Sequence, residues 1–235
     1  MEKNYEIVVA HYNEDIERLK PYAEDVIIYH KWNETWPRFP IKKWIKLDNV
    51  WREGHTYLHH IIHNYDNLTE YTIFLQWSIS DHSDNGIAYN TIQEYIDEVK
   101  KYEFSTKSLW LMRRQNPQIV WLWKFKDMID TWSLQKSWYS FQEFYKLLFK
   151  KKQPYLLPVF YGANFGVSKK KIQQRKKDFF QQIYNIMNQS PNPEEWHYLE
   201  RLWFQIFNEK NISYYYITKI LKDLKKALLK KIKHN

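Results

Sequence analysis

The stretch that most limits what this chain can become covers residues 51–82, WREGHTYLHHIIHNYDNLTEYTIFLQWSISDH. Tyr57, Leu58, Ile61, Ile62 and Tyr65 recur at helical spacing, which predicts a helix with one apolar face. Asp66-Asn67-Leu68-Thr69 reads as a turn. Residues 71–75 are β-branched and aromatic, a run short enough for a buried strand. From Gln76 to Asp84 the chain turns polar and acidic. Open α/β sheets bind ligands outside the carboxyl ends of their strands, so a site is expected at 76–84.

Upstream, residues 5–10 form a predicted strand that stops at His11, Tyr12, Asn13 and Glu14. A short helix is expected at 16–19, then a second strand at 26–29 that stops at His30 and Lys31. Strand, helical turn and strand at this spacing make a βαβ unit, so the sheet starts parallel. Three polar strand ends then share one edge. Residues 32–46 read as a loop rich in Trp, Pro and Lys. Arg52 and Glu53 begin the central helix, where Arg52 suits either a diphosphate or an ion pair with Glu53.

Downstream, Asn90 is expected to cap a helix over 91–99. Residues 104–150 carry five tryptophans and read as an insert near the acceptor side, helical from 139 to 149. Strand pieces around a glycine-containing bend are expected over 154–168, then helices over 169–188 and 193–207. A last helix, 214–233, places Ile217, Ile220, Leu221 and Leu224 on one face and lysines on the other.

Composition narrows the chemistry. With 4 glycines there is no GxGxxG or Walker loop, so phosphates cannot be cradled by glycine backbone. With no cysteine, thiolate nucleophiles, disulfides and cysteine zinc sites are excluded. Aromatics are 19% of the chain, which serves either a ring-packed core or stacking platforms. The net charge of +9 is concentrated in part near the end of the chain. No apolar run suits a signal peptide or a membrane span, so a cytoplasmic protein is expected.

Several groups admit two readings. His55, His59 and His63 lie four apart on the central helix, which suits a metal or a solvated, hydrogen-bonded stripe. Asp81, His82 and Asp84 suit Mg²⁺ or Mn²⁺ with a diphosphate, or an Asx-capped turn. Glu200 suits a general base or a surface pair with Arg201. The basic 214–233 helix suits an anionic membrane face or packing on the domain; nothing matches a nucleic-acid-reading module.

The segments VVAHYNED (8–15), VIIYHK (26–31), NVWREGHTYLHHIIHNYDNL (49–68), TIFLQ (72–76) followed by Asp81-His82, ANFGVSKKKI (163–172) and ERLWFQIF (200–207) occur in this order. Together they resemble a family of uncharacterised proteins from fungi, bacteria and large DNA viruses, catalogued as a domain of unknown function. That family is similar to the GT-A nucleotide-sugar glycosyltransferases. The resemblance implies a GT-A-like (Rossmann-like) α/β domain over 1–208. Its mixed, mostly parallel sheet is flanked by helices, with the aromatic insert at 104–150 and a basic amphipathic helix at 209–235. It implies transfer of a sugar from a nucleoside-diphosphate donor, such as a UDP-sugar, to a glycan or lipid-linked acceptor. The other reading is a non-catalytic carbohydrate- or nucleotide-binding module on the same fold. On the transferase reading His11, Tyr12, Asn13, Glu14, Tyr29 and Lys31 hold base and ribose, and Arg52 and Glu53 organise the diphosphate edge. Asn164 lies in the segment that approaches donor and acceptor. Gln76 and Asp81 take the place of the GT-A metal-binding Asp-x-Asp, with Asp81 and His82 for Mn²⁺ or Mg²⁺. Ser78-Ile79-Ser80-Asp81 departs from that pattern, with a second acid at Asp84. Asp84 and Glu200 are the candidate catalytic carboxylates.

Overall fold

The computed structural model describes residues 4–32, 39–76, 88–107, 109–113, 133–187 and 190–208, and near the C-terminus 217, 218, 220, 221 and 225. The chain opens with β1 (Tyr5–His11), a 3-10 helix (Glu17–Asp25), β2 (Val26–His30) and β3 (Lys43–Lys46). Next come α1 (Arg52–Asn64), β4 (Tyr71–Gln76), α2 (Ile92–Tyr102), β5 (Phe104–Ser105) and β6 (Trp110–Arg113). After these follow α3 (Phe141–Phe149), β7 (Leu156–Val159), β8 (Phe165–Ser168), α4 (Lys169–Ile172), α5 (Lys177–Ile186) and α6 (Glu194–Asn208).

Six strands form one sheet in the order β3-β2-β1-β4-β8-β5. β1, β2, β3 and β4 run parallel, with His11 opposite His30 and Ala10 opposite Gln76. β8 runs antiparallel to both β4 and β5. β6 and β7 pair as a separate antiparallel ribbon. The βαβ expectation and the shared edge of strand ends therefore hold.

Alternation along the strands sorts the core into two layers. Val8, Ala10, Ile27, Tyr29, Phe74 and Phe165 face α1 and α6. Ile7, Val9, Ile28, Ile73 and Leu75 face the 3-10 helix and α2. Every one of these side chains is almost entirely withdrawn from water, each worth about 1.5–3 kcal/mol for a large aliphatic or aromatic group.

Several boundaries differ from the sequence reading. β3 lies inside the expected 32–46 loop; it is a short edge strand with exposed lysines at both ends, so no alternation marks it. The cap of α2 is Thr91, not Asn90: Thr91 and Glu94 form a capping box, each bonding the other's backbone N–H. Phe104 and Ser105 belong to the main sheet, and the Phe104 ring packs on Phe165, Phe204 and Phe207. The aromatic insert thus begins after the sheet's edge strand. The 169–188 helix is two helices with a turn between, where the Arg175 N–H bonds the Ile172 carbonyl. Most of the 214–233 helix lies outside the described residues; Ile220 packs against the core.

Glycine is used where backbones must meet. A Cβ at Gly54 would run into the ring of Trp196, so α1 and α6 cross in contact there. Trp196 is buried and has no room to swing away.

A buried polar chain ties α1 to the sheet. His60 Nδ1 lies 3.0 Å from the Tyr29 hydroxyl, and its Nε2–H donates to Glu6 Oε1 (3.1 Å). Burial pushes the Glu6 carboxyl up. The hydrogen bond and charge of His60, with the charge of Lys42, outweigh it and hold the group below its ordinary value.

Gly54→Ala is expected to destabilise the protein by about 1–3 kcal/mol, read as a lower urea midpoint. Overpacking against Trp196 outweighs the ~1 kcal/mol that alanine gains in a helix interior. A depressed carboxylate stabilises the fold above its unfolded range, and that contribution is lost as pH falls through its folded pKa. Stability should therefore decline as pH falls below the ordinary carboxylate range, about 4, and Glu6→Gln should show a shallower decline in denaturant titrations there.

Candidate functional site

The parallel order β3-β2-β1-β4 reverses direction between β1 and β4, because β2 and β3 lie on one side of β1 and β4 on the other. The helical covers switch faces accordingly: the 3-10 helix packs on one side and α1 on the other. In open α/β sheets ligands bind at such a reversal, outside the carboxyl ends of the strands, here those of β1 and β4. His11, His30 and Gln76 are brought together on this edge.

Around β1 the side chains are largely committed to one another. His11 Nε2 lies 3.0 Å from the Glu14 carbonyl, so that nitrogen carries the proton. His11 Nδ1 then accepts from His30 Nδ1, 2.9 Å away, and both rings lean on Trp44. The Glu14 carboxylate folds back onto the backbone N–H groups of Tyr12 (2.7 Å) and Asn13 (3.0 Å). Glu14 therefore shapes the loop. What this end presents to solvent is Asn13 and the Tyr12 ring, paired with the exposed Trp32 ring at 4.5 Å.

Two residues point elsewhere than the nucleotide-contact expectation requires. Tyr29 is buried on the α1 side with its hydroxyl on His60, because residue 29 alternates with residue 30 along β2. Lys31 is buried too, and its ammonium donates to the carbonyls of Val50 (2.7 Å) and Arg52. Burial lowers its pKa to about 7 against the opposing charges of Glu53 and Asp48.

That lysine holds an unusual backbone. Trp51 (φ 51°) and Arg52 (φ 49°) are consecutive non-glycine residues in the left-handed region, at the cap and first residue of α1. Their N–H groups donate to the carbonyls of Ser190 and Pro191. The start of α1 is thus closed by protein carbonyls, and the exposed Arg52 side chain is what it offers an anion.

A second left-handed pair lies near the end of β4. Gly162 (φ 88°) and Ala163 (φ 50°) make the bend between β7 and β8. The Gly162 N–H donates to Glu200 Oε1 at 2.8 Å, and Asn164 Oδ1 accepts the Gln76 N–H at 2.8 Å. One bend therefore joins α6 to the end of β4. Burial raises the Glu200 pKa, against the charge of Arg201 and the Gly162 bond; Glu53 adds to the rise and Arg52 opposes it. The expected surface pair is not at the surface. Arg201 is buried, 3.7 Å from Glu200, with its guanidinium against the Tyr161 ring. One turn earlier, burial and then the charges of Arg201 and Arg52 lower the His197 pKa to about 3, so it is neutral.

The structure thus gathers His11, Tyr12, Asn13, Gln76, Asn164, Arg52, Glu53 and Glu200 around the strand ends. Asp81, His82 and Asp84 lie outside the described residues. His197 was not singled out from the sequence, and Arg201 was read only as a surface partner of Glu200. His197 lies three residues before Glu200, one helical turn, which is the signal that would have found it. The three-histidine stripe does not converge. Both His55 nitrogens face partners, the Asp48 carbonyl (3.3 Å) and the Tyr184 hydroxyl (3.0 Å), while His59 stacks on exposed His63 at 3.9 Å. Burial, followed by neighbouring cations, lowers both His55 and His59 to about 4. Among the described residues no group of three or more His, Asp or Glu is placed to hold a metal ion.

In comparisons with known proteins, the model of a family described as "Protein of unknown function (DUF3431)" matches residues 7–217. No curated protein and no solved structure matches the chain.

A lysine with a lowered pKa is neutral in the folded state while still charged in the unfolded one, so the unfolded chain binds the extra proton and stability rises with pH. Between about pH 7 and about pH 10, wild type should gain stability relative to Lys31→Met, measured by denaturant unfolding at each pH.

Proposed function

The chain belongs to the DUF3431 family of proteins of unknown function, and from the edge described above we propose that it transfers a sugar from a nucleoside diphosphate, such as UDP, to a hydroxyl of a glycan or lipid-linked acceptor. The accompanying fold reading is GT-A-like: a parallel β3-β2-β1-β4 half extended by antiparallel β8 fits the mixed sheet that this resemblance implies. The observation that carries the proposal is the bend at 162–164, which holds the Glu200 carboxylate with one hand and the end of β4 with the other.

The proposed division of labour follows from what each group has free. Glu200, its proton affinity raised by burial, is suited to take the proton of an attacking hydroxyl. Arg52 brings positive charge toward the leaving diphosphate from the start of α1, and Arg201 adds to the field behind Glu200. The Tyr12 and Trp32 rings offer flat apolar faces on which a base or a sugar ring stacks. With 4 glycines in the chain, side chains take over what a glycine cradle does elsewhere. A divalent ion such as Mn²⁺ or Mg²⁺ would neutralise charge on the diphosphate. Asp81 and His82, the residues proposed to hold it, lie outside the described residues.

Among the described residues no helix is long and apolar enough to cross a membrane. We place the basic 214–233 segment against an anionic membrane face, where each lysine near the surface contributes about 1 kcal/mol. Ile217 and Leu221, four apart, are exposed on its described part.

A thermal-shift panel of nucleotides and nucleotide sugars, with and without Mn²⁺, tests the reading directly. UDP-sugars should raise the unfolding temperature. Glu200→Gln should keep that shift while UDP release from the same donor falls by about 10²–10⁴-fold. A panel in which no nucleotide or nucleotide sugar stabilises the protein refutes the proposal. Wild-type binding without any turnover would leave a carbohydrate-binding module.

A further inference from the structure

Two basic runs, distant in sequence, start from one pair of rings. Phe149 ends α3 and Phe179 lies in the first turn of α5, with ring centroids 6.3 Å apart. The Arg175 guanidinium lies over both, 5.4 Å from the Phe149 centroid and 4.8 Å from that of Phe179. Lys150, Lys151 and Lys152 follow Phe149 directly, Lys176 and Lys177 follow Arg175, and all five are exposed. The Tyr65 hydroxyl donates to the Arg175 carbonyl, so the second run is anchored to the domain. Lys150 is the left-handed cap of α3 (φ 56°), with its N–H on the Lys146 carbonyl at 2.9 Å. Glycine is the usual residue at such a cap. This chain carries a cation there instead. Across residues 144–182 Asp178 is the sole carboxylate against ten lysines and arginines, so these segments are strongly cationic.

The first run continues into apolar side chains. Tyr155 is 60% exposed and Leu156 37%. They follow Lys152 so closely that even a fully extended chain keeps them within about 15 Å of it. Gln153, between them, is buried, so the segment is held on the domain.

We propose that the lysines of these two runs, with Tyr155 and Leu156, form a face that docks the domain on an anionic phospholipid bilayer. This goes beyond the sugar-transfer reading, which uses none of these residues, and the face is separate in sequence from the contact assigned to 214–233. The chemistry selects the partner. Lysines attract any polyanion through their charge. A nucleic acid or an acidic glycan would leave Leu156 in water. A bilayer takes both kinds of group. Its anionic headgroups meet the ammonium ions, while Tyr155 and Leu156 enter the headgroup boundary, where amphipathic rings settle.

The full-length protein is sedimented with vesicles of phosphatidylcholine alone and of phosphatidylcholine with phosphatidylserine. Wild type is compared with Lys150→Gln/Lys151→Gln/Lys152→Gln, with Lys176→Gln/Lys177→Gln and with Tyr155→Ser/Leu156→Ser. All seven positions are exposed, so each variant should fold, and unfolding temperatures check that it does. Binding to polyuridylate is measured in parallel.

Wild type should bind the phosphatidylserine vesicles and not phosphatidylcholine alone. Each lysine near an anionic surface strengthens binding about fivefold, so both lysine variants should bind about tenfold or more weakly. Tyr155→Ser/Leu156→Ser should weaken vesicle binding and leave polyuridylate binding as it is in wild type. No binding of wild type to phosphatidylserine vesicles overturns the proposal. Wild-type vesicle affinity in all three variants overturns it too, and leaves lipid contact to 214–233. Loss in the lysine variants alone, with an equal loss of polyuridylate binding, marks a general polyanion surface and overturns the membrane assignment. UDP-sugar binding is read by the nucleotide panel, so the two proposals fail separately.

Discussion

Everything at the sheet edge depends on how closely α1 and α6 cross. The Gly54–Trp196 contact brings the first turn of α1 against the first turns of α6. Glu53, on α1, and Glu200, on α6, then feel each other's charge, and Arg52 reaches Glu200 and His197 electrostatically. A larger residue at 54 would push these groups apart even if each helix kept its own shape. The central glycine of REGHTYLHHII is therefore a spacing device between two helices, and a phosphate cradle would need more than one.

The same crossing accounts for where backbone strain sits. Two left-handed dipeptides lie at 51–52 and 162–163, and three of the four residues carry a side chain. Such conformations persist only where the surroundings over-determine them. At 51–52 the restraint comes from the Ser190 and Pro191 carbonyls and the Lys31 ammonium. At 162–163 it comes from Glu200 and from Asn164 on Gln76. Each restraint comes from an element distant in sequence, so the strain is held by the tertiary fold. This links packing to recognition: a bend held from both ends presents its groups without reorganising when a ligand arrives.

The strands and the central helix were legible because their signals are local. Alternation and apolar periodicity alone located β1, β2, α1, β4 and α6 to within a residue or two, and parallel pairing followed from connection length. Polar strand ends then placed His11, Gln76 and their neighbours on one edge. What escaped was set by partners far away in the chain. Tyr29 and Lys31 are polar residues at a strand end, yet one serves the His60 chain and the other the carbonyls before α1. Glu14 looked like a ligand contact and is an internal cap. β3 and β5 are too short to carry a period, and only the neighbouring strand defines them. Glu200 was visible as a carboxylate on a helix, but its value as a base depends on Gly162, 38 residues away.

The charge balance at this edge argues for a ligand with both acidic and neutral parts. The chain as a whole is basic, yet the cations nearest these strand ends are mostly spoken for or discharged. Lys31 is bound to carbonyls, and His55, His59 and His197 are neutral near pH 7. A site meant only for phosphate would keep its cations charged and free. This edge keeps the exposed Arg52 for charge, beside a Glu200 carboxyl whose proton affinity burial raises, so a ligand that meets both needs an acidic part for the arginine and a neutral, hydrogen-bonding part for the carboxyl.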